Sequence, residues 1–272
     1  MPTRGPDDEE LLAGEGLTHV VRVGATVRRP VRPFTATIQA YLAAVRARGF
    51  LDCPEPLGTD AEGREVLSYV PGDVPVEPLP AWATGPEVLV ALARLARRLH
   101  DAAEGWVPPP DAVFGAIPGT VAADQLPPSE QPELVSHQDW CPGNVVFRGG
   151  RPVALIDFDL ARPTTRVADV VNALYWWVPL LHPLDGEPQL TDADAGARAR
   201  LFVDAYGMTA GQRALVVPTA IARARRATTT MRAAADVDRV FRRWWDDGVR
   251  DRMPRAESWL AAEAPRLAAA LR

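Results

Sequence analysis

The chain has 272 residues, enough for one large domain or two lobes sharing a core, and its 47% apolar and 24% charged content is that of a folded chain. Its net charge of −5 speaks against a nucleic-acid partner and suits a cationic or neutral small molecule, and all 30 basic residues are arginine, which excludes a lysine-bearing Walker A loop. No apolar run approaches the roughly 20 residues of a membrane span, the polar start is unlike a signal peptide, and Cys53 and Cys141 form no metal or redox motif, so we expect a soluble, cytoplasmic protein, a monomer or weak dimer.

In chain order, the first elements read as a small β-rich lobe. His19 to Val23 and Thr26 to Arg29 alternate around Gly24-Ala25, the mark of a type II′ hairpin. In that register Val21 faces Arg28, on the face that carries Val23 and Thr26. Thr35 is a candidate N-cap for a helix with Ile38, Tyr41, Leu42 and Val45 on one stripe and Gly49 as its stop. Arg64 to Val70 reads as a strand. The proline-rich stretch from Val70 to Pro80 marks the lobe boundary, giving lobes of residues 1–72 and 73–272.

The second lobe reads as mainly helical. Val88, Leu92, Leu95 and Leu99 share a helix face, and His100 after them is expected to be buried and hydrogen-bonded. Val145 to Phe147 and Val153 to Ile156 are apolar, β-branched runs around Arg148-Gly149-Gly150-Arg151, a tight hairpin. Val167 to Val178 reads as a helix with Asp169 near its start, and arginine-rich helices run from Ala197 to the end.

The chemistry concentrates around that hairpin. His137-Gln-Asp139-Trp-Cys-Pro-Gly-Asn144 precedes it, and Leu155-Ile-Asp157-Phe-Asp159 follows. An even loop puts Asn144 opposite Leu155 and Asp157 on the same face as Asn144, at a diagonal of roughly 7–8 Å. Asp139 lies in the loop at the same end. A carboxylate base, an amide oxygen and a second carboxylate for a divalent cation are the parts needed to move a phosphoryl group from a nucleotide to a hydroxyl.

These residues resemble the aminoglycoside phosphotransferase and choline kinase-like family from about Leu11 to Asn172. The resemblance implies a two-lobed, protein-kinase-like α+β fold, with a small antiparallel β-rich N-lobe and a larger, mainly helical C-lobe. It implies that Asp139 is the catalytic base toward the acceptor hydroxyl, that His137 braces the loop, and that Asn144 and Asp157 hold Mg2+, with Asp159 near the metal. Leu67, Ser68, Tyr69 and Val70 become the hinge that meets the adenine of ATP or GTP, and Asp169 anchors the catalytic loop. Val21 and Arg28 then form an apolar and cationic roof over the nucleotide, with Gly14 and Gly16 in the turn covering its phosphates.

The chain departs from the family in lacking the third-strand lysine and the glutamate on the helix after it. Arg28 is the stand-in for the lysine, Arg29 lies on the opposite face, and neutral Gln39 falls near the glutamate's place. The acceptor is a small-molecule alcohol. An aminoglycoside-like polycation would use acids such as Asp185, Glu187, Asp192, Asp194 and Asp246-Asp247, whereas an amino alcohol would use an aromatic box drawn from Trp140, Trp176, Trp177, Trp244 and Trp245; a sugar is the neutral option. A small-molecule kinase is the principal reading. The alternative is a weak or inactive pseudoenzyme that binds a nucleotide or another ligand.

Overall fold

A small antiparallel sheet and a larger helical body make up two lobes, in a computed structural model that describes residues 9–12, 19–121, 131–178, 180–190 and 193–272. Strands β1 (Glu10–Leu11), β2 (Val21–Val23), β3 (Thr26–Pro30), β4 (Pro56–Thr59) and β5 (Arg64–Ser68) lie in the order β1-β2-β3-β5-β4, every neighbouring pair antiparallel. Gly24 takes φ 58, a conformation that a side chain disfavours, and so reverses β2 directly into β3. Val21 lies opposite Arg28 and Val23 opposite Thr26, as the alternation predicts. The strand expected to reach Val70 ends at Ser68, because the Tyr69 amide leaves the ladder to donate to Ala25 O at 2.8 Å. Gly14 and Gly16 lie outside the described residues.

Helix α1 (Thr35–Ala47) covers the sheet through Ile38, Tyr41, Leu42 and Val45, each at most 1% exposed. Full burial of such side chains contributes about 1.5–3 kcal/mol each. Thr35 is not its N-cap. Phe34 is the cap residue, and the Thr35 hydroxyl accepts from the Arg32 amide at 2.9 Å, holding the preceding turn. Gly49, at φ 92, follows the last turn as expected.

The larger lobe begins with α2 (Pro86–Ala103), whose Val88, Leu92, Leu95 and Leu99 are buried. Strand β6 (Leu134–Ser136) pairs with β9 (Arg162–Thr164), and β7 (Val145–Arg148) with β8 (Arg151–Leu155). Helices α3 (Arg166–Trp177), α4 (Ala195–Tyr206), α5 (Ala210–Val237), α6 (Arg239–Trp244) and α7 (Arg250–Leu271) complete it. The lobes are tied directly. The Tyr41 hydroxyl donates to Val135 O at 3.0 Å, the Leu155 amide to Asp52 O at 3.0 Å, and Arg48 Nη1 to Ala102 O at 3.0 Å. Among the described residues no helix is long and apolar enough to cross a membrane.

Candidate active site

The segment from His137 to Asn144 leaves β6 and enters β7, and one buried carboxylate fixes its path. Asp169, in the first turn of α3, accepts five hydrogen bonds: His100 Nε2 at 2.8 Å, Ser136 Oγ at 2.7 Å, Gln138 N at 2.8 Å, Gln138 Nε2 at 2.7 Å and Trp140 Nε1 at 2.9 Å. Burial opposes its ionisation, but these donors win and hold the carboxyl well below the usual carboxylate range. Gln138 adopts φ 61, an uncommon conformation for a non-glycine residue, with both its backbone amide and its side chain locked onto Asp169. One turn along α3, Asn172 accepts from Trp140 N at 2.9 Å and donates to Gln138 O at 3.0 Å. Trp177 Nε1 donates to Trp140 O at 2.8 Å. Thus α3 carries a row of polar side chains that hold the backbone N–H and C=O groups of Gln138 and Trp140.

His137 is fully buried and braces the loop from the other side. Its Nε2 lies 2.9 Å from Ile156 O, its Nδ1 accepts the Asp139 amide at 3.2 Å, and its ring packs tilted against Phe158 with centroids 4.4 Å apart. Those partners assign the proton to Nε2. Asp139 itself is half-buried at the loop's apex, where Asn144 Nδ2 donates to its Oδ2 at 2.9 Å and to its backbone oxygen at 3.1 Å. Burial pushes the Asp139 carboxyl above its ordinary range; His137, Cys141 and Asn144 pull it back in part, and the Asp157 charge adds to the rise.

The hairpin forms with a shift in register. Gly149 and Gly150, at φ 56 and 72, make the turn, and Arg148 pairs with Arg151 as expected. Beyond Phe147–Pro152 the extra residue Val153 bulges β8, so Val146 pairs with Ala154 and Val145 with Leu155. The Asn144 carbonyl consequently meets the Ile156 amide at 2.9 Å, one residue past the expected partner Leu155. Simple alternation therefore does not place Asn144 and Asp157 on one face. Asn144 ends a short 3-10 turn (Pro142–Asn144), and Asp157 takes a left-handed φ of 57. The irregular backbone brings the carboxylates together instead, since the Asp157 charge is felt at both Asp139 and Cys141. Gly115 passes so close to the carbonyl of Asp159 that a Cβ there would collide with it.

The cation at this corner is Arg29, and Arg28 is elsewhere. Arg29 Nε bonds Glu65 Oε2 at 2.5 Å, Nη1 lies 3.4 Å from Asp157 Oδ1, and Nη2 lies 2.6 Å from Asp159 Oδ1. Arg29 and Glu65 are direct cross-strand partners, so both side chains leave the same face of the sheet, together with the Val27–Leu67 pair. Val21 and Arg28 share the opposite face, and Arg28 reaches toward Asp60 at 3.8 Å. Arg29 has an anionic partner in Glu65, on β5, which is fully buried and also accepts Gln39 Nε2 at 3.3 Å. The signal for this pair was present as a lone acid within the apolar strand opposite Arg29. Burial opposes the guanidinium charge, but Asp159, Glu65 and Asp157 outweigh it, so Arg29 stays charged. Burial and the Asp157 charge push the Asp159 carboxyl up to about 7, against the pull of Arg29.

A divalent ion at this corner would draw on Asn144, Asp157 and Asp159. The Asn144 amide oxygen has no hydrogen bond among the described residues, which suits a ligand. The two carboxylates instead hold one guanidinium, and among the described residues no three His, Cys, Asp or Glu side chains group to hold a metal. As placed, this donor set fits Arg29 better than it fits Mg2+.

Of the expected hinge, the Ser68 amide bonds Glu55 O at 2.9 Å and the Tyr69 amide bonds Ala25 O, while the Tyr69 ring lies 4.0 Å beneath the Arg22 guanidinium. Among the described residues Val70 N–H has no acceptor and remains available to a ligand. Trp140 and Trp177 are at most 1% exposed and anchor the loop, so neither can wall an aromatic box. Three of the acids proposed for a polycation are engaged elsewhere. Asp185 binds Arg255, with Arg255 Nε at 2.9 Å; Glu187 caps the Leu79 amide at 2.8 Å; Asp194 caps α4. Asp192 lies outside the described residues.

The sequence model of the phosphotransferase enzyme family matches residues 120–202, which span the loop, the hairpin and α3. A trifolitoxin immunity protein from Rhizobium leguminosarum bv. trifolii is 33% identical over 225 residues, covering 76% of this chain and 77% of the relative. The chain belongs to the phosphotransferase enzyme family. Solved structures of similar fold include the amicoumacin kinase hAmiN in complex with AMP-PNP, Ca2+ and Ami, at TM-score 0.62 and 16% identity over 91% of this chain and 89% of that one. Another is a choline/ethanolamine kinase family protein from Mesorhizobium loti, at TM-score 0.57 and 18% identity over 97% and 92%. At such identities the likeness speaks for the fold, the two-lobed, protein-kinase-like α+β architecture of the family.

Proposed function

We propose that this chain is a kinase-fold binding protein whose cleft holds a nucleotide or another small ligand, with phosphoryl transfer weak or absent. The observation that carries the reading is the Arg29 guanidinium lodged between Asp157 and Asp159. Arginine cannot give up its charge at any working pH, so this cation is permanent. A divalent ion seeking those carboxylates must first displace a buried side chain that Glu65 holds from behind at 2.5 Å. The name of the Rhizobium relative, a trifolitoxin immunity protein, supports a protective role. Thermal shift with ATP, GTP and MgCl2 tests the reading: a nucleotide or ligand response that does not depend on magnesium is expected, and a strictly magnesium-dependent response argues against it.

A second reading, the active small-molecule kinase, is favoured by the Asp139–Asn144 pair. Asn144 turns its NH2 to Asp139, and burial raises the Asp139 carboxyl toward the basicity of a general base. Under that reading ATP or GTP is the donor, Asp139 takes the proton of a hydroxyl on a small-molecule acceptor, and Asn144, Asp157 and Asp159 are the residues that would hold Mg2+. Asp157→Ala would then abolish nucleotide turnover, while Asp139→Asn would leave a trace. Equal turnover in both variants and the parent would remove Asp139 and Asp157 from the mechanism.

A further inference from the structure

Between α2 and β6, residues 112–120 touch both lobes and the turn that carries Asp157 and Asp159. Successive prolines, Pro108 to Pro110, lead into the segment and stiffen its approach. The Val113 amide donates to Thr37 Oγ1 at 2.9 Å, in the first turn of α1 in the smaller lobe, and Thr37 is buried. Gly115 lies against the Asp159 carbonyl, where a Cβ would collide. The same Cβ would come within 3.4 Å of Phe34 Cδ1, on the residue that caps α1. Phe114, between these two points, packs on the core. Gly119, at φ 73, lies against α5, and a Cβ there would stand 2.6 Å from Ala233 O.

These contacts reach three bodies: α1, the Asp157–Asp159 turn and α5. The segment satisfies all of them at once only while the lobes and the turn stand as they do here. That is also the arrangement in which Arg29, on β3, reaches Asp157 at 3.4 Å and Asp159 at 2.6 Å. Two fastenings that favour one state are coupled, so whatever loosens one loosens the other. The segment is held lightly, since Val113 is 46% exposed and Gly119 is exposed. Chain of this kind opens well before the whole protein unfolds.

We propose that residues 112–120 form an interlobe strap that keeps the Asp157–Asp159 turn seated on Arg29, an autoinhibitory fastening that lifts before a ligand draws those carboxylates away. This rests on the reading that Arg29 withholds the two carboxylates, and it assigns control of that corner to a segment outside it.

Amide hydrogen exchange of the full chain tests it. The amides to follow are Val113, Thr120, Ile156 and Ala161, which are bonded to Thr37 Oγ1, Ile117 O, Asn144 O and Phe158 O. Thr37→Val removes the anchor on α1 and keeps its shape. It should speed exchange at Ile156 and Ala161 by roughly two- to tenfold, the worth of one buried hydrogen bond. Gly115→Ala should speed both by about tenfold or more; should it fail to fold, Thr37→Val carries the test. In the reverse direction, Asp159→Ala, which releases Arg29 Nη2, should speed exchange at Val113 and Thr120. Amides of α4 should keep the parent rate throughout. Faster exchange at Val113 alone in Thr37→Val, unchanged Val113 and Thr120 in Asp159→Ala, or equal acceleration in α4 overturns the inference. The coupling is measured without nucleotide or metal. A parent that turns over ATP would therefore strike the proposed function, while the exchange rates still decide the strap.

Discussion

Asp169→Asn is expected to destabilise the protein by about 3–5 kcal/mol, because the carboxylate at this position satisfies five donors and an amide cannot. Asparagine keeps one acceptor oxygen and puts an NH2 group where the other stood. Ser136 can rotate its hydroxyl, His100 can exchange tautomers, and the Gln138 side-chain amide can flip. The Gln138 backbone N–H and the Trp140 indole N–H cannot adapt, and they address different oxygens. One of them must therefore face the new NH2 in a fully buried site, at a cost of about 1–3 kcal/mol. Lost charge assistance in the remaining bonds makes up the rest. For a chain of 272 residues the change corresponds to a fall in Tm of about 6–10 °C. Urea unfolding followed by tryptophan fluorescence at pH 7 measures it.

The sign with pH follows from the depressed Asp169 carboxyl. The folded protein binds fewer protons there than the unfolded chain, so the contribution is complete above the unfolded value of about 3.9 and fades as pH falls through the folded one. The gap between parent and variant should narrow in acid. A variant within about 0.5 kcal/mol of the parent at pH 7, well below the expected loss, or a gap that widens on acidification, would refute the argument.

Three further outcomes are expected. Arg29→Met should lower stability by about 3–5 kcal/mol by leaving Glu65 buried without its cation, and Arg29→Lys should lose less; chemical denaturation of both ranks them. Asp159, raised to about 7, makes the folded state bind the extra proton, so parent stability should decline as pH rises from about 4 through 7. Asp159→Asn should flatten that decline, and matched melts at pH 5 and pH 8 show whether it does. Burial pushes both thiols up, Cys53 to about 12 and Cys141 with the added repulsion of Asp139 and Asp157, so neither should react with a thiol reagent at pH 8 until denaturant is added.

Much of the fold is legible in the sequence because local patterns and tertiary contacts agree. The stripes of α1 and α2 are buried where periodicity places them, and Gly24 and Gly149-Gly150 turn where glycine is needed. The loop anchors Asp169 and Asn172 stand in a helix readable by its pattern, although their partners are set by tertiary approach. Two features defeated alternation. The Val153 bulge shifted the hairpin by one residue, and an apolar run contains no signal for it. The choice between Arg28 and Arg29 depends on which sheet face meets Asp157, a lobe-level contact with no local pattern. Trp140 and Trp177 show the same limit, since indoles that anchor a loop and indoles that cradle a cation look alike in one dimension.

The central claim is that Arg29 holds the carboxylates on which phosphoryl transfer would depend. Its most direct test compares nucleoside diphosphate release from ATP and MgCl2, with a small hydroxy compound present, between the parent and Asp157→Ala. The account predicts matching rates near background. A parent rate exceeding that of the variant by about 10²-fold or more, the scale of a working catalytic group, would contradict it.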